Sequence, residues 1–588
     1  MSSERKKQTM LNGALILAVS TVIVKVIGAL YKIPLTNLIT MEGYGYFQGA
    51  YAIYNPLYAI SMAGLPIAVS KLVSQNVEAG RLRDARAIFR VSRKLFFLVG
   101  AVGTVLLMIL AVPYSHMVKA PMNYISVLTV APCILFCCMM SSFRGYYEGL
   151  KNMTPTGVSQ VIEAGIKMVL GLALTTVFFK HQLHKYQANN VGGLYHAFGM
   201  DVHNEAEFLA AMYPYAAAVA ISCVTLGSMI GLVYLFIHCK RHGLGFTREE
   251  LVNSPRPRPD AKLRGQIIRV AAPIALTSLI LNLSNLIDDF TVRTRLAHAV
   301  DVGMDTIKHL YGASIAAAGT LDENIPNYIY GAHGSVLNLR NLIPTITLTL
   351  GISAIPVLSA AWQRKDKREI KTTIESALRV CMLLALPAGF GMAALAEPIL
   401  SLLYPSEIHS VPITTPLLVV YGMFMFLFST TSPITNMLQA VGRMDIPVKT
   451  IAIGSAIKII MNFILIGNPK INIHGAPVST AVMYAVMLAI NLTSLLRVTK
   501  VRLNFISIFV KPFVAAATCA VTAWGAYMLT ANVIHIPFKI ATVFSILVGG
   551  AFYVIVLALV KGIAKDDVEM LPKGEKIAKV LAKFKILG

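Results

Sequence analysis

Long apolar runs separated by short polar stretches set the pattern of this chain. Fourteen can be marked, at about 11–39, 47–70, 94–113, 122–143, 156–179, 211–238, 266–289, 333–360, 374–396, 411–437, 446–467, 474–496, 506–530 and 538–561. Each comes close to or exceeds the roughly 20 apolar residues that a helix needs to cross hydrocarbon. In lipid the backbone must satisfy its own hydrogen bonds, so such runs fold as helices. The expected fold class is an all-α polytopic membrane protein with about 14 transmembrane helices. The first run follows a basic start, as in a signal peptide. It is too long for one and has no AxA-type cleavage site, so it reads as the first span.

The pattern repeats. Gly64–Lys71 runs out of the second span into a basic loop, and Ile352–Ser359 runs out of the eighth into another. Gly149, Pro155 and Lys167 recur as Gly442, Pro447 and Lys458, with spacings that differ by one residue. Each repeat holds six spans, so the halves have the same orientation, related by an axis along the membrane normal. The expected architecture is two pseudo-symmetric six-helix lobes around a central cationic cavity, plus two extra C-terminal helices. The expected divisions are an N-lobe over 1–240, a cytoplasmic linker over 241–265 with the proline-rich Ser254–Pro259, a C-lobe over 266–500, spans thirteen and fourteen over 501–562, and a tail over 563–588. Ile577, Val580, Leu581 and Phe584 alternate in that tail with Lys576, Lys579 and Lys583, the pattern of an amphipathic helix lying on the inner leaflet. Two longer outer segments, about 180–210 and 290–332, carry no functional signature.

Composition agrees with this reading: 56% of the 588 residues are hydrophobic and 14% charged, against about 25% charged in soluble domains. The net charge of +24 changes the picture through its placement. Most of the 52 Lys and Arg fall between alternate spans, on the side of both termini. The positive-inside rule makes that side cytoplasmic and the protein multi-pass in a cell membrane. The excess charge then faces anionic lipid headgroups, which leaves no nucleic-acid partner to explain. The seven cysteines lie almost wholly in apolar runs without metal spacing, so neither a metal site nor a disulfide framework is expected.

Charges inside the spans carry the chemistry. Lys25 and Lys32 lie seven residues apart, on one helix face about 10 Å apart along the axis. A lysine at mid-bilayer costs about 2.5–3.5 kcal/mol on insertion scales. Lys167, Lys458 and Arg340 lie inside the fifth, eleventh and eighth spans. These five are the expected substrate-binding residues, since membrane-depth cations beside apolar helices suit an amphiphile with a phosphate head. Four have a structural counterpart: snorkelling to the interface for the two first-span lysines, an interfacial anchor for Arg340, and an i,i+4 pair with Glu163 for Lys167; Lys458 has no acid one turn away and is harder to explain structurally. A coupling ion, if used, falls to Asp288 or Glu163; an Asp289–Arg293 ion pair is the structural reading beside Asp288. No GxxxxGK[ST] loop, HExxH, GxSxG or dinucleotide fingerprint occurs, so no catalytic residue or cofactor is expected and the drive must be an ion gradient, the membrane potential or product removal.

Lys25-Val-Ile-Gly28-Ala-Leu-Tyr-Lys32-Ile-Pro34, Glu42-Gly-Tyr-Gly45, Ala63–Lys71, Asn285-Leu-Ile-Asp288 and Gly442–Pro447 resemble the polysaccharide-exporter branch of the MOP (multidrug/oligosaccharidyl-lipid/polysaccharide) superfamily. Within it they resemble the group of stage V sporulation protein B and MurJ-like lipid II flippases of Gram-positive type. The family's first-span arginine falls on Lys25, a second at or beside Lys32, and one early in span eight at or one residue from Arg340; a span-two arginine has no counterpart, Tyr58 standing near its place. Lysine at 25 keeps the charge and loses the bidentate fork. The resemblance implies flipping of an undecaprenyl-pyrophosphate-linked cell-wall precursor, most often lipid II, by alternating access in a bacterial cell membrane. It also implies peptidoglycan biosynthesis and cell shape as the setting, with cell-wall synthesis proteins as partners. The rivals are a flippase for another polyprenyl-linked glycan (teichoic acid, capsule or spore polysaccharide), a cation-coupled MATE-type exporter, and a non-transporting envelope-assembly scaffold.

Overall fold

The computed structural model describes residues 10–189 and 195–562, apart from a few side chains within helices. The expected tail helix and Gly192-Gly193 lie outside the described residues. The described chain is helical nearly throughout, with one small hairpin. Residues pack into two compact units, 1–297 with 319–331, and 298–318 with 332–588. The division expected at 241–265 lies within the first of these stretches.

In the first unit the helices are α1 (Met10–Ala59), α2 (Leu65–Glu78), α3 (Leu82–Met117), α4 (Asn123–Val130), α5 (Cys133–Gly149) and α6 (Thr154–Asn189). A hairpin, β1 (Tyr195–Ala197) with antiparallel β2 (Met200–Val202), leads into α7 (Glu205–His242) and the short α8 (Arg248–Asn253). Then α9 (Asp260–Val302) and α10 (Met304–Ala318) carry the chain into the second unit, which holds most of α11 (Ile325–Arg340). It continues with α12 (Leu342–Arg364), α13 (Lys367–Ala394), α14 (Ala396–Leu403), α15 (Val411–Met423), α16 (Met425–Ala440), α17 (Asp445–Leu465), α18 (Gly475–Thr499), α19 (Lys511–Tyr527) and α20 (Phe538–Leu559).

Among the described residues ten helices are long and apolar enough to cross a membrane, or eleven if the pair Pro405–Met423 and Met425–Ala440, bent by 47°, is one span. The expected number was about fourteen. The first two expected spans form one helical run, Val19–Glu78, and spans seven and eight contain side chains outside the described set. That run is bent rather than straight: Thr40 has φ 63° and ψ 175°, off the helical region. Large apolar side chains look outward, among them Val102 and Ile109 on α3 and Leu547 on α20. In water such a surface would be an aggregation liability; in a membrane it is the lipid-facing wall.

Close helix packing positions the first unit's interior. A Cβ on Gly227 of α7 would stand 2.7 Å from the Glu163 carbonyl of α6, and one on Gly171 of α6 would stand 2.6 Å from the Tyr31 ring of α1. Small residues let the backbones approach where no hydrophobic force joins helices in lipid. Tyr31 also donates to the Ala220 carbonyl of α7 at 3.1 Å. The end of α6, the hairpin and the start of α7 share a small core of their own, with Tyr186 stacked on Phe208 at 4.4 Å.

The proline-rich stretch after α8 is extended, as its composition predicts, but it is docked rather than loose. Asp84, buried near the start of α3, accepts the Arg258 backbone N–H at 2.7 Å. The same carboxylate pairs with Arg81 at 2.6 Å and with the Arg258 side chain at 3.3 Å. Arg83 donates to the Leu251 carbonyl at 2.5 Å, which fixes α8 to the same helix.

Candidate functional site

The site begins with a row of aromatics. Tyr44, Phe47, Tyr51, Tyr54 and Tyr58 step along α1 at alternating intervals of three and four, which stacks them on one helix face. Successive ring centroids lie 5.7, 5.0, 5.9 and 5.2 Å apart. Tyr31, from the earlier part of α1, meets Phe47 edge-on at 6.1 Å. Tyr31, Tyr51, Tyr54 and Tyr58 of this wall line one side of a cavity of about 270 Å³ in the first unit, whose other sides include Arg144, Glu163 and Lys167.

Lys167 is half-buried on α6 and points at the wall. Its Nζ donates to the Tyr51 hydroxyl and stands 4.9 Å from the Tyr51 ring centroid and 5.4 Å from that of Tyr31. The negative face of an aromatic ring attracts a cation, by about 2 kcal/mol or more where both are desolvated. The i,i+4 pair of Glu163 with Lys167 does not form. Glu163 is instead held by Arg144, whose Nη2 lies 3.0 Å from Oε2, and by Ser228, which donates to Oε1 at 3.0 Å. Arg144 is 2% exposed and also donates from Nε to Ser159 at 3.0 Å. A guanidinium spread over five donors satisfies a buried carboxylate better than a lysine on the same helix, so Glu163 is neutralised and Lys167 is left over.

Lys25 and Lys32 flank the stripe of α1 (Thr21, Gly28, Tyr31) that lines the cavity, Lys25 exposed and Lys32 half-buried. Lys32 lies within electrostatic reach of both Lys167 and Lys25. The structure thus brings together three of the five expected binding cations, and none of the three has an ion pair among the described residues.

The other two lie in the second unit. Arg340 ends α11, with its guanidinium 5.2 Å from the Tyr421 ring and 5.3 Å from that of Phe428. A cation in the last turn also complements the helix dipole. Lys458 is 9% exposed and belongs to the buried stripe Thr450, Gly454, Lys458, Asn462 of α17, which packs on α18. Hydrogen bonds of Thr450 to Asn491 at 2.8 Å and of Ser479 to Asn462 at 2.6 Å run along that interface. Asp288 is half-buried on α9. Its neighbour Asp289 accepts from the Tyr330 hydroxyl and lies 3.6 Å from Arg293. Arg293 stacks 3.7 Å from the Tyr330 ring and donates to the Gly45 carbonyl at 2.7 Å, which gives Asp289 the structural role. Among the described residues no cluster of three or more His, Cys, Asp or Glu could hold a metal ion.

Arg144 and the aromatic wall were missed in the sequence. Arg144 follows directly on the expected end of the fourth span, outside the set of in-span charges, whereas α5 carries on to Gly149. The wall was visible as its three-four spacing.

Comparison with known proteins adds the lineage. Residues 10–191 match the family of polysaccharide biosynthesis proteins, and residues 326–464 match the MatE family. The chain is 23% identical over 574 residues to stage V sporulation protein B of Bacillus subtilis, covering 96% of this chain and 98% of that one. It is 24% identical over 491 residues to the lipid II flippase MurJ of the same organism, covering 81% and 80%. Among solved structures, the lipid II flippase MurJ in an inward closed conformation matches with a TM-score of 0.61 at 14% identity, over 93% of this chain and 98% of that one. An inward-facing MATE transporter of the MOP superfamily matches with 0.56 at 13% identity, over 83% and 98%.

Proposed function

We propose, for a chain that is a multi-pass membrane transporter of the MOP-superfamily fold and not an enzyme, that its cargo is a polyprenyl-diphosphate-linked cell-wall precursor, lipid II foremost. The protein flips it from the inner to the outer leaflet of a bacterial cell membrane, with both termini cytoplasmic.

The observation that carries this reading is the trio Lys25, Lys32 and Lys167. Three cations share one region of the first unit, and among the described residues Lys167 is in contact with a phenol and two aromatic faces and forms no ion pair. Membrane-depth charge without a carboxylate suits an anion that arrives and leaves. A diphosphate can take up two or more ammonium groups while the polyprenyl tail stays in lipid. A drug-exporter cavity for organic cations calls for the opposite sign. Arg340 and Lys458 remain candidate substrate contacts of the second unit, and Asp288 is the candidate for a coupled cation. Outward movement of negative cargo is itself favoured by an inside-negative potential, by about 2.3 kcal/mol per charge per 100 mV.

Support for the cargo class comes from the relatives: one is named a lipid II flippase, and the family matched over 10–191 is one of polysaccharide biosynthesis. That second match also favours a sister reading, another polyprenyl-linked glycan on the same diphosphate. Expression in cells depleted of their resident lipid II flippase tests both. Lipid II appearing on the outer leaflet with the wild type, and not with Lys167→Ala or Lys25→Ala at equal membrane levels, is the expected result. Absence of rescue by a properly inserted wild type sends the assignment to the sister glycans; rescue by every variant removes the cation site.

A further inference from the structure

A second cationic cavity, of about 500 Å³, lies in the first unit at the end of α3 that carries the basic loops. Arg83, Arg86, Arg90 and Arg93 line it, with Phe89, Leu244 and Leu251 supplying apolar wall. Their spacing of three, four and three puts all four on one face of α3, along about 15 Å of its axis. Like charges at these intervals oppose one another on a helix. Two of them are already engaged: Arg83 holds the α8 carbonyls of Leu251 and Val252, and Arg90 lies 3.2 Å from Asp260. The other two are not. Arg86 is exposed and has no acidic partner among the described residues. Arg93 lies against the Phe89 ring at 5.0 Å, and its buried Nε has no hydrogen-bond acceptor among the described residues.

We propose that this cavity binds the phosphate group of an anionic membrane lipid from the leaflet on that side. A guanidinium fork matches two phosphate oxygens, and two free forks one above the other on one helix face form a clamp. The apolar wall of Phe89, Leu244 and Leu251 receives the first part of the acyl chains. Val252 of α8 stands exposed beside it, a side chain suited to the bilayer boundary. The docked 254–260 stretch closes the far side through Pro257. This site is separate from the lysine cavity and does not depend on the identity of the transported cargo.

The test uses the purified full chain in mixed micelles of phosphatidylglycerol and phosphatidylcholine, with retained lipid read by native mass spectrometry. The wild type is expected to retain phosphatidylglycerol over phosphatidylcholine by about fivefold or more, and Arg86→Gln with Arg93→Gln to bring that ratio close to one. Arg86→Lys with Arg93→Lys keeps charge without the fork and is expected to fall between. Arg86→Gln alone, at an exposed position, covers the case in which the double variant does not fold, and its ratio is expected to fall as well. A second arm adds millimolar inorganic phosphate. Retention that survives it assigns the ligand as a lipid; loss of retention assigns the site to the phosphate group alone and overturns the lipid as its ligand. A wild-type ratio of one, or equal ratios in the wild type and the glutamine variants, overturns the site.

Discussion

Arg144 and Glu163, 19 residues apart in sequence, close an ion pair at 3.0 Å, buried on the arginine side and half-buried on the glutamate side, that joins α5 to α6. Removing one member leaves the other as an uncompensated buried charge, at a cost of about 3–5 kcal/mol. Arg144→Met is therefore expected to lower the melting temperature of the detergent-purified protein sharply. Arg144→Met with Glu163→Leu is expected to recover most of the loss, because a well-packed apolar pair needs no partner. A double variant no more stable than the single one would show that the pair is not the cause.

Lys167 behaves differently, because among the described residues it forms no ion pair with a carboxylate. Lys167→Met is expected to leave the melting temperature nearly unchanged and to reduce precursor flipping at least about tenfold, the equivalent of one lost contact of roughly 1.4 kcal/mol. Lys167→Arg keeps the cation and is expected to retain much of the activity. Measurement of outer-leaflet precursor in reconstituted vesicles separates the two variants.

Tyr51 offers Lys167 both a hydroxyl and a ring. Tyr51→Phe removes the first and keeps the second, so flipping is expected to change by no more than a few-fold. Tyr51→Leu removes both and is expected to impair flipping more than Tyr51→Phe does. Equal impairment in the two variants would assign the whole effect to the hydroxyl.

Asp84 anchors the stretch after α8 by accepting the Arg258 amide at 2.7 Å. Asp84→Ala is expected to speed hydrogen exchange of that amide by about tenfold or more, with little change in the amides of the α3 interior. Unchanged protection at Arg258 would mean that Arg83 and Ser254 hold the stretch without Asp84.

Thr40 has a backbone conformation that β-branched residues avoid, at a cost of about 1–3 kcal/mol. Thr40→Gly is expected to raise stability by about 1 kcal/mol, and Thr40→Val to leave it unimproved. Thermal unfolding of the two variants side by side is the measurement.

Apolar runs fix where helices form, so the all-α membrane architecture was legible from the sequence, and so were the lysines, because charge within such runs stands out. Partnership was not legible. The i,i+4 rule offered Lys167 to Glu163, but the rule sees one helix, and Arg144 reaches Glu163 from another. The Asp84–Arg258 contact spans 174 residues and leaves no local trace in composition; prolines marked Ser254–Pro259 as extended and could not mark it as docked. Asp289 and Arg293 were legible as a pair because both lie on α9, whereas the Tyr330 ring that completes the group comes from elsewhere in the chain.

The aromatic wall along α1 makes the charge of Lys167 portable. An ammonium locked to a carboxylate would have to break a strong bond before meeting a phosphate, and a bare one in lipid would hold the phosphate too long. Between rings it has a resting place of middling strength. In the proposed cycle an arriving anion can draw it away at little cost, and a departing one need not leave it stranded. A row of tyrosines thus serves as a weak counter-charge that carries no charge of its own, which suits a cycle whose every step must be reversed before the next cargo arrives.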